Sequence, residues 1–203
     1  HENRYPLSGT HRSDLWADHI GFHLNKHDMH LTPLQSHVEK CRSNLARLNP
    51  NNKPTVLISS KSTNDDFGKG KSLTDQQIVD IVQTLQQNGF FVFTIHIESQ
   101  DIYNQLKVEQ CTNVHKQDWI SYVYLADYVI SVDTATFHIA GGLKKPLLGI
   151  FTFTDGKVYG KYYDFVLVQK HRDNGNWDCG PCFVCQFCPK SSNPRKYRNT
   201  RRS

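Results

Sequence analysis

The chain has 203 residues and a mass of 23.4 kDa; 37% of its residues are hydrophobic and 21% are charged. This length and composition permit one sizeable hydrophobic core and exclude a largely disordered chain. No run of about 18 apolar residues occurs, so the sequence predicts no membrane-spanning helix. The chain opens at His1 without an initiator Met or a signal-peptide pattern, so we expect it to be a piece of something longer.

The formal net charge of +5 is concentrated at the carboxyl end. Residues 189–203 carry six Lys or Arg and no acid, so the rest of the chain sums to about 5 − 6 = −1. A basic tail on a near-neutral body is typical of a solubilising or weakly anion-binding end. A protein that contacts nucleic acid through this tail and the neighbouring cysteines is the alternative.

Four of the six cysteines form an uninterrupted C-x2-C-x2-C-x2-C run: Cys179, Cys182, Cys185 and Cys188. Such clustering favours metal ligation over a disulfide framework, which would spread its cysteines across the fold, and it indicates a reducing, cytoplasmic compartment. Thiolates suit zinc and iron or iron–sulfur centres, and we expect a structural zinc or iron site here, with zinc slightly favoured. Incidental thiols are the alternative.

The pattern divides the chain into three parts. Residues 1–53 are polar, His-rich and irregular, and we expect His19, His23, His27 and His30 to be solvated surface residues. Residues 54–168 alternate apolar runs with helical patterns, and residues 169–203 are Cys-rich and then basic. Apolar runs predict strands at 55–60, 90–95, 128–132, 147–151 and 164–168, with a further short run at 112–115.

Helical spacing of apolar residues predicts helices that begin at Thr74 and that cover 99–108, 117–126 and 134–143. Thr74 and Gln77 fit a capping box, and Gly89 stands where a helix commonly ends. Strands that are apolar throughout, alternating with helices, indicate an α/β fold: a Rossmann-like parallel sheet with helices on both faces.

Ligands of open parallel sheets bind beyond the carboxyl ends of the strands. A strand ends at Val132, Asp133 and Thr134 form a turn, and a helix begins at once. The free N–H groups of its first turn, with the hydroxyls of Thr134 and Thr136 and the imidazole of His138, suit an anion such as a diphosphate. The alternative is that Asp133 or Thr134 only caps the helix and that His138 is a partly buried helix residue.

The stretch ADYVISVDTATFHIAGGLKKPLLGIF, residues 126–151, resembles a motif of glycosyltransferase family 9, which includes the ADP-heptose:lipopolysaccharide heptosyltransferases. Six residues fall in register with the motif: Asp133, Thr134, His138, Ala140, Pro146 and Phe151. The family glycine after Asp-Thr is Ala135 here, and its methyl group would crowd a closely approaching phosphate.

The resemblance extends upstream, at pattern level, over most of residues 11–168. It implies that Lys71 neutralises the phosphates of a sugar nucleotide, with Lys69 as a competitor, and that Ser59 and Ser60 touch the same phosphates. The segment THRSDLWADHIGFHL resembles the link between the two halves of the family's GT-B fold. Residues 1–53 would then be a linker or the end of a preceding acceptor domain, and residues 54–168 the nucleotide-sugar-binding domain.

The function that this resemblance implies is transfer of a sugar from a nucleotide-diphosphate donor to an acceptor hydroxyl. ADP is the nucleotide that the family resemblance suggests. The acceptor would be a glycan, a protein or a nucleobase. The catalytic base would lie on the other half of the GT-B fold, supplied by a missing domain or a second chain, and no metal would be needed at the donor site. The alternatives are a catalytically inactive nucleotide-sugar-binding module and the nucleic-acid-associated protein mentioned above.

Overall fold

The computed structural model describes residues 11–25, 29–62, 71–152 and 154–169, and the statements below concern these residues. Six strands are present: β1 Thr55–Ser59, β2 Phe91–His96, β3 Glu109–Thr112, β4 Tyr128–Val132, β5 Leu147–Phe151 and β6 Val166–Gln169. Seven helices accompany them in this part of the chain: α1 Arg12–His19, α2 Gln35–Leu48, α3 Asp75–Gln87, α4 Asp101–Gln105, α5 Lys116–Leu125, α6 Ala135–Gly142 and α7 Gly156–Tyr159.

The six strands form one parallel sheet in the order β3-β2-β1-β4-β5-β6. This confirms the predicted Rossmann-like fold, and β4 and β5 have the bounds that the apolar runs predicted. The chain first adds strands on one side of β1 and then continues on the other side, so the strand order reverses between β1 and β4. These two strands are parallel, and Ser59 is in register with Ser131. In open α/β sheets this reversal leaves a crevice beyond the carboxyl ends of the strands.

Both faces of the sheet are covered by helices, which explains why the central strands are apolar throughout. On one face, a core of residues such as Cys41 and Phe137 joins the sheet to α2, α5 and α6. On the other face, Ile78, Val82 and Tyr103 pack α3 and α4 against β1 and β2. Each helix therefore fixes the loop that leads into or out of a strand end.

The predicted start of α3 is confirmed in both arms of its capping box. The Thr74 hydroxyl accepts from the Gln77 N–H at 3.3 Å, and the Gln77 side chain accepts from the Thr74 N–H at 2.9 Å. The helix ends at Gln87, and Gly89, two residues later, has a φ of +84°, in the left-handed region that glycine tolerates. These two ends fix how the loop after β1 returns to the sheet.

Two predicted elements at the β3 edge were misplaced. The helix expected at 99–108 is the shorter α4, and the strand expected at 112–115 is β3, three residues earlier. The chain turns sharply at Lys107, which has a φ of +54°, and the Val108 N–H donates to the Tyr103 carbonyl. This turn ends the helix early, and β3 pairs with β2 through mostly polar residues, a pattern that apolar runs cannot reveal.

The prediction that residues 1–53 are irregular is wrong for α1 and α2. Val38, Cys41 and Leu45 form a buried stripe on α2 at helical spacing, and the last two belong to the same core as the sheet. Asp118 on α5 ties the helices together, accepting from Lys40 at 2.7 Å and lying 2.6 Å from the His37 ring. The packing thus places α2 with the sheet, whereas the division of the chain at residue 54 stays a prediction.

The His-rich segment lies at the surface where the structure describes it. His19, His23 and His30 are exposed, as predicted, and the His23 side chain is 94% exposed. His27 lies outside the described residues. Among the described residues, no helix has the length and apolar character needed to cross a lipid bilayer.

The capping box gives a stability prediction. Thr74→Ala removes the hydroxyl that satisfies the Gln77 N–H and should lower the free energy of unfolding by about 1 kcal/mol, measured by urea denaturation. Thr84→Ala is the matched control, because the Thr84 hydroxyl only bonds back to the Asp80 carbonyl in the same helix. The control should be neutral or stabilising; equal losses in the two variants would contradict the capping role.

Candidate functional site at the carboxyl ends of the strands

The loops that follow β1, β4 and β5 come together at Asp133, at the point where the strand order reverses. Its Oδ2 accepts from the Lys71 ammonium at 2.6 Å and from the Thr154 hydroxyl at 2.8 Å. The Asp133 side chain is only 8% exposed, whereas that of Lys71 is 26% exposed. The ammonium is therefore held at the surface of the crevice by a buried carboxylate.

Hydroxyl groups of β1 and β4 form a short directed chain beside this ion pair. Ser131 donates to the Val132 carbonyl at 2.8 Å, so its oxygen must accept from Thr134, which lies 3.1 Å away. Thr134 has then used its only proton, and the 3.2 Å contact with Ser59 must have Ser59 as the donor. Each of the three protons is thereby used within the protein, so none of these hydroxyls donates into the crevice at rest.

Helix α6 begins directly after this chain of hydroxyls. Thr134 occupies the N-cap position with extended backbone, but its side chain makes no capping hydrogen bond. The N–H groups of Ala135 and Thr136 come too early in the helix to have an intrahelical partner. The Ala135 side chain is exposed and that of Thr136 is buried, so the Ala135 methyl lies on the open side of the helix start.

His138 lies one turn into α6 and packs edge-on against Tyr163, with the two ring centroids 5.8 Å apart. Burial lowers the pKa of His138, the Asp133 carboxylate opposes this, and His11 and Lys71 lower the pKa further. The imidazole is thus favoured as a neutral hydrogen-bonding group. His11, which the sequence analysis did not identify, is buried at the start of α1 against Tyr162.

Ser60 does not join Ser59 in this cluster. Its buried hydroxyl shares a 2.5 Å hydrogen bond with Tyr103 on the opposite face of the sheet. Neighbouring residues at a strand end point to opposite faces, so the hydroxyls of the two serines lie apart, and their contact with the same phosphates stays a prediction. Alternation along β1 was the signal that could have separated them.

His96 is a half-buried histidine that the sequence analysis missed. It ends β2, stacks on Tyr103 at 5.4 Å, and lies 2.8 Å from the Thr94 hydroxyl through Nε2. Thr94 donates to the Ile58 carbonyl, so the His96 Nε2–H must donate to Thr94, leaving Nδ1 to accept from Gln100 at 3.2 Å. The hydrogen bonds therefore specify one neutral tautomer.

Other candidate residues lie outside the described part of the chain. These are Lys69 and the predicted metal ligands Cys179, Cys182, Cys185 and Cys188, whose metal site stays a prediction. Within the described residues, no group of three or more His, Cys, Asp or Glu side chains could hold a metal ion.

Two surface concavities lie away from Asp133. A concavity of about 560 Å³ lies at the amino ends of β1 and β4, lined by residues that include Asn49, Thr55 and Tyr128. A second, of about 450 Å³, lies beside β3 and is lined by residues that include Ser99 and Gln110. Both are open, and neither contains the charged and hydroxyl groups that surround Asp133. The chemistry therefore favours the carboxyl edge.

The comparisons with known proteins agree with this geometry. The model of glycosyltransferase family 9 (heptosyltransferase) matches residues 24–187. That match covers most of the chain, and the protein therefore belongs to glycosyltransferase family 9. No curated protein matches the sequence.

Several solved structures share the fold at low sequence identity. A family 9 glycosyltransferase from Veillonella parvula DSM 2008 is 9% identical with a TM-score of 0.67, covering 83% of this chain and 55% of that one. ADP-heptose LPS heptosyltransferase II from E. coli is 10% identical with a TM-score of 0.56, covering 68% and 44%. The iron-containing dodecameric glycosyltransferase TibC from enterotoxigenic E. coli H10407 is 16% identical with a TM-score of 0.50, covering 71% and 41%. The chain thus spans about half the length of these proteins.

The environment of His96 gives a pH prediction. Burial, helped by the Lys61 ammonium, lowers the pKa of His96 to about 4. An unfolded chain holds a histidine with a pKa of about 6.5, so it binds more protons than the folded chain between pH 6.5 and pH 4. The contribution of His96 to stability is therefore complete above pH 6.5 and is lost as the pH falls toward 4.

His96→Gln should flatten the fall in unfolding free energy between pH 6.5 and pH 4, measured by urea denaturation at several pH values. Some slope should remain, because the pKa of His138 is lowered as well. His23→Gln is the control, since the His23 side chain is almost fully exposed and should leave the slope unchanged. A His96→Gln profile parallel to the wild-type one would show that His96 is not held neutral.

Proposed function

We propose that this chain is the donor-binding half of a GT-B glycosyltransferase and binds a nucleotide-diphosphate sugar at the carboxyl ends of β1 and β4. The observation that carries the proposal is the Lys71–Asp133 ion pair, which holds an ammonium group beside the start of α6. Membership of family 9 supports a glycosyltransferase.

The diphosphate would bind at the start of α6. The N–H groups of Ala135 and Thr136, which have no partner within the helix, and the positive end of the helix dipole favour an anion there. Lys71 supplies a full positive charge and His138 a neutral donor. Asp133 would not face the phosphates, because like charges repel; it would instead hold Lys71 in place.

The hydroxyls of Ser59 and Thr134 have a secondary part in this proposal. Their protons are directed into the protein, so donation to a phosphate requires the chain of hydroxyls to reorient. The Ser59 hydroxyl is the easier of the two to rotate, because it is the first donor of this series and neither Thr134 nor Ser131 donates to it. Ser60 is assigned no phosphate contact, because its hydroxyl is buried against Tyr103.

The reaction that we infer is displacement at the anomeric carbon of the donor sugar. An acceptor hydroxyl, deprotonated by a carboxylate of the other half, would form the new glycosidic bond as the bond to the diphosphate breaks. The leaving diphosphate would gain negative charge, which Lys71 and the α6 N–H groups are placed to stabilise. This electrostatic stabilisation would make a metal at the donor site unnecessary.

The donor that we favour is an ADP-sugar. TibC, which shares the fold, has been solved in complex with ADP-D-β-D-heptose. Heptose is accordingly the first sugar to test. The acceptor would be a glycan, a protein or a nucleobase, and cytoplasmic placement is part of the same proposal.

The acceptor half is the partner that the proposal requires, since the chain spans about half the length of its structural neighbours. The exposed apolar side chains of Trp16, Ile20 and Phe22 offer a surface for it. Trp16 and Ile20 are one helical turn apart and share a face at the end of α1. We infer that the acceptor half, on the same or another chain, covers this surface.

The Cys179–Cys188 segment is proposed to hold a structural zinc or iron ion. TibC is described as iron-containing, which favours looking for iron as well as zinc. The family match and these fold neighbours give no support to the inactive module or to the nucleic-acid-associated protein.

A thermal-shift screen against ADP-, GDP-, UDP- and dTDP-sugars tests the donor site. A ligand at 100 times its dissociation constant adds about 2.7 kcal/mol, or roughly 5–10 °C for a chain of this size. We expect a shift with an ADP-sugar that is strongly reduced in Lys71→Met and Asp133→Asn, each compared with its own ligand-free melting temperature.

Lys61→Met is the matched control for this screen. Lys61 lies at the other end of the same loop and pairs with Asp75, so the control should keep the shift. A folded wild-type protein that shifts with no donor would overturn the proposed function.

Catalysis should require the acceptor half. The chain alone should bind the donor without forming a glycosidic bond, and sugar transfer should appear when a family 9 acceptor domain is added, measured by mass spectrometry of the acceptor. Transfer that is lost again in Lys71→Met would assign the reaction to this site. Transfer by the chain alone would show that the base lies within it.

A further inference from the structure

We propose that Thr154 is a positioning residue of the donor site, which acts through Asp133 on the Lys71 ammonium; its effect on ligand binding rests on the proposed function. Neither Thr154 nor its loop was identified as part of the site from the sequence. Lys71 and Thr154 donate to the same oxygen, Asp133 Oδ2, from loops that follow β1 and β5.

The geometry at Asp133 Oδ2 explains how Thr154 would act. A carboxylate oxygen has two accepting positions, and here the ammonium and the hydroxyl take both. Aspartate rotates freely about its last side-chain bond unless its partners fix it. Thr154 is 1% exposed, so water cannot easily replace its hydroxyl. Removing this donor would free the carboxylate to turn, and the direction of Lys71 would change with it.

The backbone of Thr154 is held in place by Gln169, the last residue of β6. The Gln169 side chain donates to the carbonyls of Phe151 and Thr154 at 3.2 and 3.1 Å. Its oxygen accepts from the Gly156 N–H at 3.0 Å. Gln169 thus fastens the loop between β5 and α7 on both sides of Thr154. The result is a continuous series of hydrogen bonds from Gln169 through Thr154 and Asp133 to Lys71.

A purely structural role for Thr154 predicts something different. In that case Thr154→Val would lower stability without changing the behaviour of Lys71. In the positioning role, the loss passes through Asp133, so it should depend on whether Lys71 is present. A double-mutant cycle between Thr154 and Lys71 separates the two roles.

The first experiment measures the dissociation constant of ADP by calorimetry. Thr154→Val should weaken binding about tenfold, as expected for a lost hydrogen bond to a charged group, and Thr154→Ser should stay within about twofold. In a Lys71→Met background, Thr154→Val should cause no further loss. Additive losses, or equal losses in the Val and Ser variants, would overturn the proposal.

Thr152→Val is the matched control on the same segment. The Thr152 hydroxyl oxygen is buried and has no hydrogen-bond partner among the described residues, so Thr152→Val makes the same change of hydroxyl to methyl without breaking a hydrogen bond seen there. The control should bind ADP as the wild type does, and melting temperatures would confirm that every variant folds.

The second experiment needs no nucleotide. The rate at which acetic anhydride acylates Lys71 in the ligand-free protein is measured by mass spectrometry, with Lys61 as the internal reference. Thr154→Val should raise the Lys71 rate relative to Lys61, whereas Thr154→Ser and Thr152→Val should not. An unchanged ratio would overturn the positioning role, whether or not ADP binds. If the ratio changes but no nucleotide binds, the positioning of Lys71 stands and the proposed function fails.

Discussion

The reversal of strand order between β1 and β4 is the constraint on which the rest of the site depends. Because all six strands are parallel, their carboxyl ends share one edge of the sheet, and helices packed on both faces of the sheet hold the loops there. At the reversal, the loops after β1 and β4 diverge to opposite faces and leave a crevice. The residues that carry charge and hydroxyl groups are gathered around that crevice.

Electrostatics within the crevice follow from burial. Asp133 is removed from water and compensated by Lys71, so the pair costs less than either charge would alone, and the ammonium stays partly exposed. The neighbouring His138 has a lowered pKa because its own burial outweighs the nearby carboxylate. The outcome is a site in which the ammonium of an ion pair faces the crevice, its carboxylate is buried beneath it, and neutral hydrogen-bonding groups lie beside it. Such an arrangement suits a diphosphate that gains charge when it leaves.

Much of the fold could be predicted from local pattern. The bounds of β4 and β5, the capping box at Thr74 and the glycine turn that follows α3 all depend on residues close together in the chain. The short polar strand β3 was misplaced, and α2 was missed because its buried stripe is sparse among polar residues. In both cases pairing or packing with a distant element, not local propensity, decides the structure.

The sequence by itself determined the class of fold and the segment from Asp133 to His138, because strand, turn and helix there are contiguous. It also marked Lys71 as a candidate, through resemblance. Only the tertiary structure decided that Lys71 pairs with Asp133, that Thr154 joins them and that Ser60 turns away to Tyr103. These contacts join residues that are 21 to 62 positions apart along the chain. Their distances depend on how the sheet brings its loops together, and no local pattern encodes that.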